Sequence, residues 1–148
     1  KHHFLHCTYL YEEFIGIPLL FYDSSGASYG SLDYGTQVDV APTIVDRLGL
    51  PIPECWEGVS LLEPAASRYT LHTTLGSLPI RAVIYRLDDA VYKYIRSPGP
   101  DEGSFKEEIF ELKSDPLEER NLIGEADQIL VNELRRRVSE KYDHWQDE

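Results

Sequence analysis

The part of this chain that most constrains its fold begins at Tyr69. Four β-prone segments follow one another there, Tyr69–Thr74, Ile80–Leu87, Ala90–Arg96 and Glu108–Leu112, with no helical pattern between them. Such a succession predicts a small four-stranded antiparallel sheet, and Asp88-Asp89 falls between the middle two as a two-residue hairpin loop. In Ala90-Val91-Tyr92-Lys93-Tyr94-Ile95-Arg96 the aromatics take alternate positions, the pattern of a half-buried strand. Ser97 to Phe105 is a Pro/Gly/acidic loop and Asp115-Pro116 marks a turn. Leu130, Leu134, Val138, Tyr142 and Trp145 recur at helical spacing, which predicts a helix from about Ala126 to Trp145 with one apolar stripe.

The first part reads differently. Pro18 to Tyr22 is apolar on both faces and is closed by the turn cluster Asp23-Ser24-Ser25-Gly26. This predicts a strand in the middle of a covered sheet. Asp39 to Gly49 reads as a helix with Asp39 as N-cap, Pro42 in the first turn and Gly49 at the left-handed C-terminal position. Val40, Ile44, Val45 and Leu48 would form its buried face. Pro53, Gly58 and Pro64 make the following stretch a connector. The expected division is therefore an α/β part over residues 1–64 and an antiparallel sheet with a C-terminal helix (α+β) over 65–148.

Charge and composition exclude some tasks. With 148 residues the chain is long enough for a real core. Its formal charge of −12 argues against nucleic acid or an anionic membrane surface as partner. Arg135-Arg136-Arg137 is read as a solvated helix face. No apolar run approaches the roughly 20 residues of a membrane span. Cys7 and Cys55 make no metal knuckle and are expected to be two buried free thiols. The chain has no Met, even at position 1, and is expected to be a fragment or processed product.

Residues that carry chemistry are few. His2, His3 and His6 place three imidazoles within a short stretch, and neutral imidazole binds divalent metal or hydrogen-bonds an oxyanion. The same spacing also occurs in a solvated turn. His72 fits a satisfied sheet histidine and His144 a helix C-terminus. There is no Gly-x-Ser-x-Gly, no Gly-rich phosphate loop and no His-Glu-x-x-His. Glu12 and Glu13 are expected to pair with backbone or basic groups rather than to move protons.

The order of segments resembles a known family. His6-Cys7-Thr8-Tyr9-Leu10-Tyr11-Glu12-Glu13-Phe14-Ile15-Gly16-Ile17-Pro18-Leu19 is similar to the line H-G-x-x-L-Y-E-E-x-x-R-V-P-L of sulfatases and related phosphoryl hydrolases. Val38-Asp39-Val40-Ala41-Pro42-Thr43-Ile44-Val45 resembles the V-D-I-A-P-T-I-L helix, and Trp56-Glu57-Gly58-Val59-Ser60-Leu61-Leu62 resembles W-x-G-x-S-L-L. Val91-Tyr92-Lys93-Tyr94-Ile95 looks like the x-Y-K-Y-I strand. Phe110 to Leu122, with Asp115-Pro116-Leu117-Glu118-Glu119-Arg120-Asn121-Leu122 at its end, resembles L-Y-D-L-x-x-D-P-x-E-x-x-N-L. Together these landmarks cover nearly the whole chain.

The resemblance implies the C-terminal part of a sulfatase-like member of the alkaline phosphatase superfamily. It implies a partial alkaline-phosphatase-like α/β region completed by the antiparallel sheet and helix. It also implies hydrolysis of sulfate or phosphate esters with a divalent metal (Ca, Mn or Zn) in the full-length enzyme. By the same resemblance, His6 stands where a family histidine contacts metal or the transferred group; His2 and His3 have no firm counterpart in the family and, with Tyr11, are expected at most to support it from behind. Cys7 stands where other members carry Lys, which favours a phosphodiesterase or phosphonate hydrolase over a sulfatase, and Gly16 replaces the usual Arg. The family's Cys/Ser-x-Pro-x-Arg nucleophile motif and Asp-His-Gly metal motif are absent from the sequence. The chain alone is therefore expected to be inactive and metal-free. Its expected partner is the missing N-terminal catalytic region or a self-associating copy, covering an apolar surface at Pro18–Tyr22. The alternative expectation is a non-catalytic interaction module with the same fold.

Overall fold

A computed structural model describes residues 9–27, 34–62, 67–73, 80–101 and 103–143. The chain divides into two compact units, one joining Lys1–Ile17 to Ala66–Glu148 and the other formed by Pro18–Ala65.

The first unit is α+β. Its strands, β1 (Ser67–Thr73), β2 (Arg81–Leu87), β3 (Ala90–Pro98) and β4 (Phe105–Glu111), pair antiparallel in the order β1-β2-β3-β4. Leu87 pairs with Ala90 across the hairpin, and Asp88 takes a left-handed backbone, φ 52°, which Asp tolerates better than most residues. The register puts Val83, Tyr94 and Ile109 side by side on one face. Val131, Leu134 and Val138 of the C-terminal helix (Gln128–Asp143) pack there to form the core cluster, with Leu130 partly buried beside them. Just before this helix the Asp127 carboxylate accepts the Ile129 amide at 2.7 Å, as an N-cap does. Tyr142's side chain and Trp145 lie outside the described residues. Each arginine of the 135–137 cluster is paired: Arg135 with Glu107, Arg136 with Glu133 and Glu140, and Arg137 with Glu133.

The opposite face of the sheet corrects the expectation of a half-buried strand. Ile84, Lys93 and Phe110 are register neighbours there, as are Ala82, Ile95 and Glu108. Ala82, Lys93, Ile95, Glu108 and Phe110 are all buried. What covers them arrives from the other end of the chain: Tyr11, followed by the short helix α1 (Glu12–Ile15), lies over this face. The free edge of β4 is also closed. Leu122 donates its amide to Ile109 O at 2.7 Å, and Asn121 Oδ1 accepts the Ile109 amide at 3.0 Å.

The second unit contains α2 (Gln37–Arg47) and, among the described residues, no strand. Pro18–Tyr22 is irregular and exposed, Leu20 to 92%, so the expected strand is not formed. A strand needs a neighbour to take its backbone groups, and the described residues of this unit offer none. The helix starts earlier than expected. Thr36 is the N-cap and Asp39 is the third helical residue, while Pro42 lies inside the helix. Gly49 does take the left-handed conformation beyond the C-terminus, φ 68°. The buried side of α2 is also corrected. Asp39, Pro42 and Thr43 are buried, whereas Val38, Ile44 and Leu48 are exposed. Cys55, expected to be buried, is an exposed free thiol. No helix among the described residues is long and apolar enough to cross a membrane.

Candidate functional site

A buried set of ionisable groups lies under α1, on the sheet face away from the C-terminal helix. Lys93 projects from the middle of β3 and is 0% exposed. A lone ammonium buried this deeply is very costly, so it must be paired. Its Nζ is 2.9 Å from Glu12 Oε1 and 2.9 Å from Glu118 Oε1. The first contact is an aligned hydrogen bond; the second is charge against charge without that alignment. Glu118 reaches this position because its backbone is left-handed, φ 56°, an unusual state for Glu that turns the carboxylate inward. Its other oxygen accepts the Glu12 amide at 2.5 Å, at the start of α1. One ammonium thus ties together residues separated by most of the chain.

Tyr11 sits beside this triad. Its ring meets Phe110 edge-on at 6.2 Å, and its hydroxyl donates to Glu108 Oε2 at 2.8 Å. Glu108 Oε1 is in turn 2.9 Å from Lys106 Nζ. Burial, then the bond to Glu108, pushes the Tyr11 phenol well above its ordinary value, so it stays a neutral donor. On the other face Tyr94 donates to Glu107 at 2.5 Å, and Arg135 grips the same carboxylate with two bonds of 2.7 and 2.6 Å. The Arg135 guanidinium holds the Glu107 carboxyl below the usual range, against the opposing effect of burial. Burial raises the Tyr94 phenol.

A cleft of about 460 Å³ opens over the triad, lined by Tyr11, Glu12, Glu13, Pro116, Leu117 and Glu118. Its chemistry is one-sided. A sulfuryl or phosphoryl group needs donors and positive charge around its oxygens, but this lining presents carboxylates, and the Tyr11 proton is already given to Glu108. The Glu12 and Glu118 carboxylates in this lining already share the Lys93 ammonium. Among the described residues no group of three or more His, Cys, Asp or Glu side chains is arranged to hold a metal ion. The arrangement anchors chain segments; it has no group poised for attack.

A second knot of polar contacts lies within the Pro18–Ala65 unit. Asp39 is 0% exposed. Its Oδ2 accepts the Thr36 amide at 2.7 Å and the Thr36 hydroxyl at 2.8 Å, and its Oδ1 accepts the Val59 amide at 3.0 Å. Thr43 donates to Asp39 O at 2.6 Å and accepts the Leu61 amide at 2.9 Å. Gly58 fits only because it lacks a side chain: a Cβ there would lie 1.9 Å from Val38 O.

Of the residues singled out from sequence, His2, His3, His6 and Cys7 lie outside the described residues. Tyr11 is placed, with its hydroxyl committed to Glu108. Glu12 pairs with a basic group as expected, but the partner is the distant Lys93 rather than a neighbour. Sequence reasoning did not single out Lys93 or Glu118 as interacting residues and gave Asp39 only as a helix N-cap, although each stands inside one of the landmark lines. No protein-family model matches the chain, and no curated protein matches it.

Proposed function

We propose that this chain is the C-terminal part of a sulfatase-like hydrolase of the alkaline phosphatase superfamily. The whole protein would hydrolyse a sulfuric or phosphoric ester with a divalent metal (Ca, Mn or Zn), and the chain on its own would turn over neither. Within that whole, residues 1–64 would complete an alkaline-phosphatase-like α/β region and the sheet with its helix would be the small C-terminal subdomain. His6 would contact the metal or the transferred group.

One observation supports this reading above the others. The landmark lines coincide with the contacts that build the two units. L-Y-E-E, Y-K-Y-I and D-P-L-E-E-R-N-L meet at Glu12, Lys93 and Glu118. V-D-V-A-P-T and W-E-G-V-S-L-L meet at Asp39, Thr43, Gly58, Val59 and Leu61. Segments far apart in sequence that resemble one family and also touch are better accounted for by a shared fold than by chance similarity of single lines. The exposed apolar residues Leu20, Tyr22, Ile44 and Leu48 fit a unit covered by further protein.

The coding sequence upstream of Lys1 tests the proposal. An in-frame Asp-His-Gly together with Cys/Ser-x-Pro-x-Arg is expected. A start codon immediately before Lys1 would contradict the hydrolase and leave the interaction module as the reading.

A further inference from the structure

We infer that Glu12, Lys93 and Glu118 form an ionic latch that seats the Tyr9–Ile15 segment on the sheet, making Lys93 and Glu118 positioning residues for whatever that segment presents. In the hydrolase reading, on which this role in positioning rests, the segment leads directly back to His6.

The geometry is specific to seating rather than to general cohesion. The core cluster on the other face consists of Val83, Tyr94, Ile109 and the helix residues Val131, Leu134 and Val138, and no α1 residue belongs to it. The helix α1 has four residues, no buried side chain and no side-chain cap. A helix this short does not persist by itself. Beside the Tyr11–Phe110 ring contact and the buried Leu10, its polar ties to the sheet among the described residues are the Tyr11 hydroxyl on Glu108, the Glu12 carboxylate on Lys93 and the Glu12 amide on Glu118. Two of these three ties pass through the triad. Glu118 keeps a left-handed backbone while making both of its contacts. A chain segment of five residues spans at most about 18 Å. Fixing Tyr11 therefore bounds where the residues ahead of it can reach, whatever conformation they take.

The test is amide hydrogen exchange on the 148-residue chain and its variants. Lys93→Met removes the ammonium and leaves two facing carboxylates. The amides of Glu12, Phe14, Ile15 and Gly16 should exchange about tenfold faster or more, while those of β2, β3 and the C-terminal helix change several-fold less. Glu118→Gln is the gentler variant, used if Lys93→Met does not fold. It should give the same local pattern at a smaller ratio. Unchanged exchange at the four α1 amides, or an equal rise across sheet and helix, would overturn the latch. Exchange does not depend on hydrolysis, so the latch can fail with the hydrolase reading intact, and the reverse.

Discussion

Lys93 in the sheet unit and Asp39 in the Pro18–Ala65 unit are both ionisable side chains with no exposed surface, and they are made tolerable in different ways. Lys93 is met by opposite charge from Glu12 and Glu118. Asp39 accepts, among its described contacts, from neutral donors, two from Thr36 and one from Val59. The surroundings differ as well. Around Lys93 both faces of the sheet are covered, by the C-terminal helix and by the Tyr11–Ile15 segment. Around Asp39 the polar side of α2 is the buried one, and Val38, Ile44 and Leu48 face outward. The first unit finishes its own core. In the second, polar contacts fill the buried side of α2 and apolar side chains stay exposed.

The sharpest way to break this contrast is to remove one charge. Asp39→Ala should cost about 2–3 kcal/mol, by leaving the Val59 amide and Thr36 groups without their acceptor; urea denaturation followed by tyrosine fluorescence reads this. Gly58→Ala, with its Cβ forced against Val38 O, is expected to cost about 1–3 kcal/mol in the same unit. Lys93→Met should weaken the seating of the Tyr11–Ile15 segment by about 1.4 kcal/mol, the equivalent of the tenfold rise in amide exchange, and the sheet core by less, because two carboxylates lose their common partner. A change under about 1 kcal/mol at the segment amides would mean that the triad contributes no more than a surface pair.

The sheet unit should also lose stability at both ends of the pH scale. Tyr11 and Tyr94 are raised, so their contribution is fully present below the ordinary phenol value of about 10 and falls as pH rises above it. Glu107 is lowered, so its contribution is present above the ordinary carboxyl range and falls as pH drops below that range. Tyr94→Phe should flatten the alkaline limb while keeping the Arg135–Glu107 pair, which a melting series from pH 8 to 11 would show. Smallest of all, Leu48→Asp at an exposed position, 66% accessible, should change stability by no more than about 0.5 kcal/mol yet reduce binding of an apolar-surface dye.

The sheet was legible because period-two patterning, a two-residue hairpin and a helical stripe all act locally. Pro18–Tyr22 was not, because apolar character on both faces shows that a segment seeks burial without showing whether a neighbouring strand exists. The outward turn of α2 was equally hidden. Its apolar stripe predicted the buried side, and only the contacts of Asp39 and Thr43 with Val59 and Leu61 show that the polar side won. Lys93 looked like the solvated residue of an alternating strand. Its burial follows from α1, whose residue Glu12 lies 81 positions away, a separation no local pattern spans.

On the proposed reading the described residues are a scaffold that would seat and brace a segment without supplying the ester chemistry. The most direct test of that claim is turnover of 4-nitrophenyl sulfate and bis(4-nitrophenyl) phosphate by the purified chain in the presence of Ca, Mn or Zn ions. No release of 4-nitrophenol above the metal-only blank is expected. Steady turnover that copurifies with the chain and disappears in His6→Ala would contradict the claim, because the chain would then hold a working site of its own.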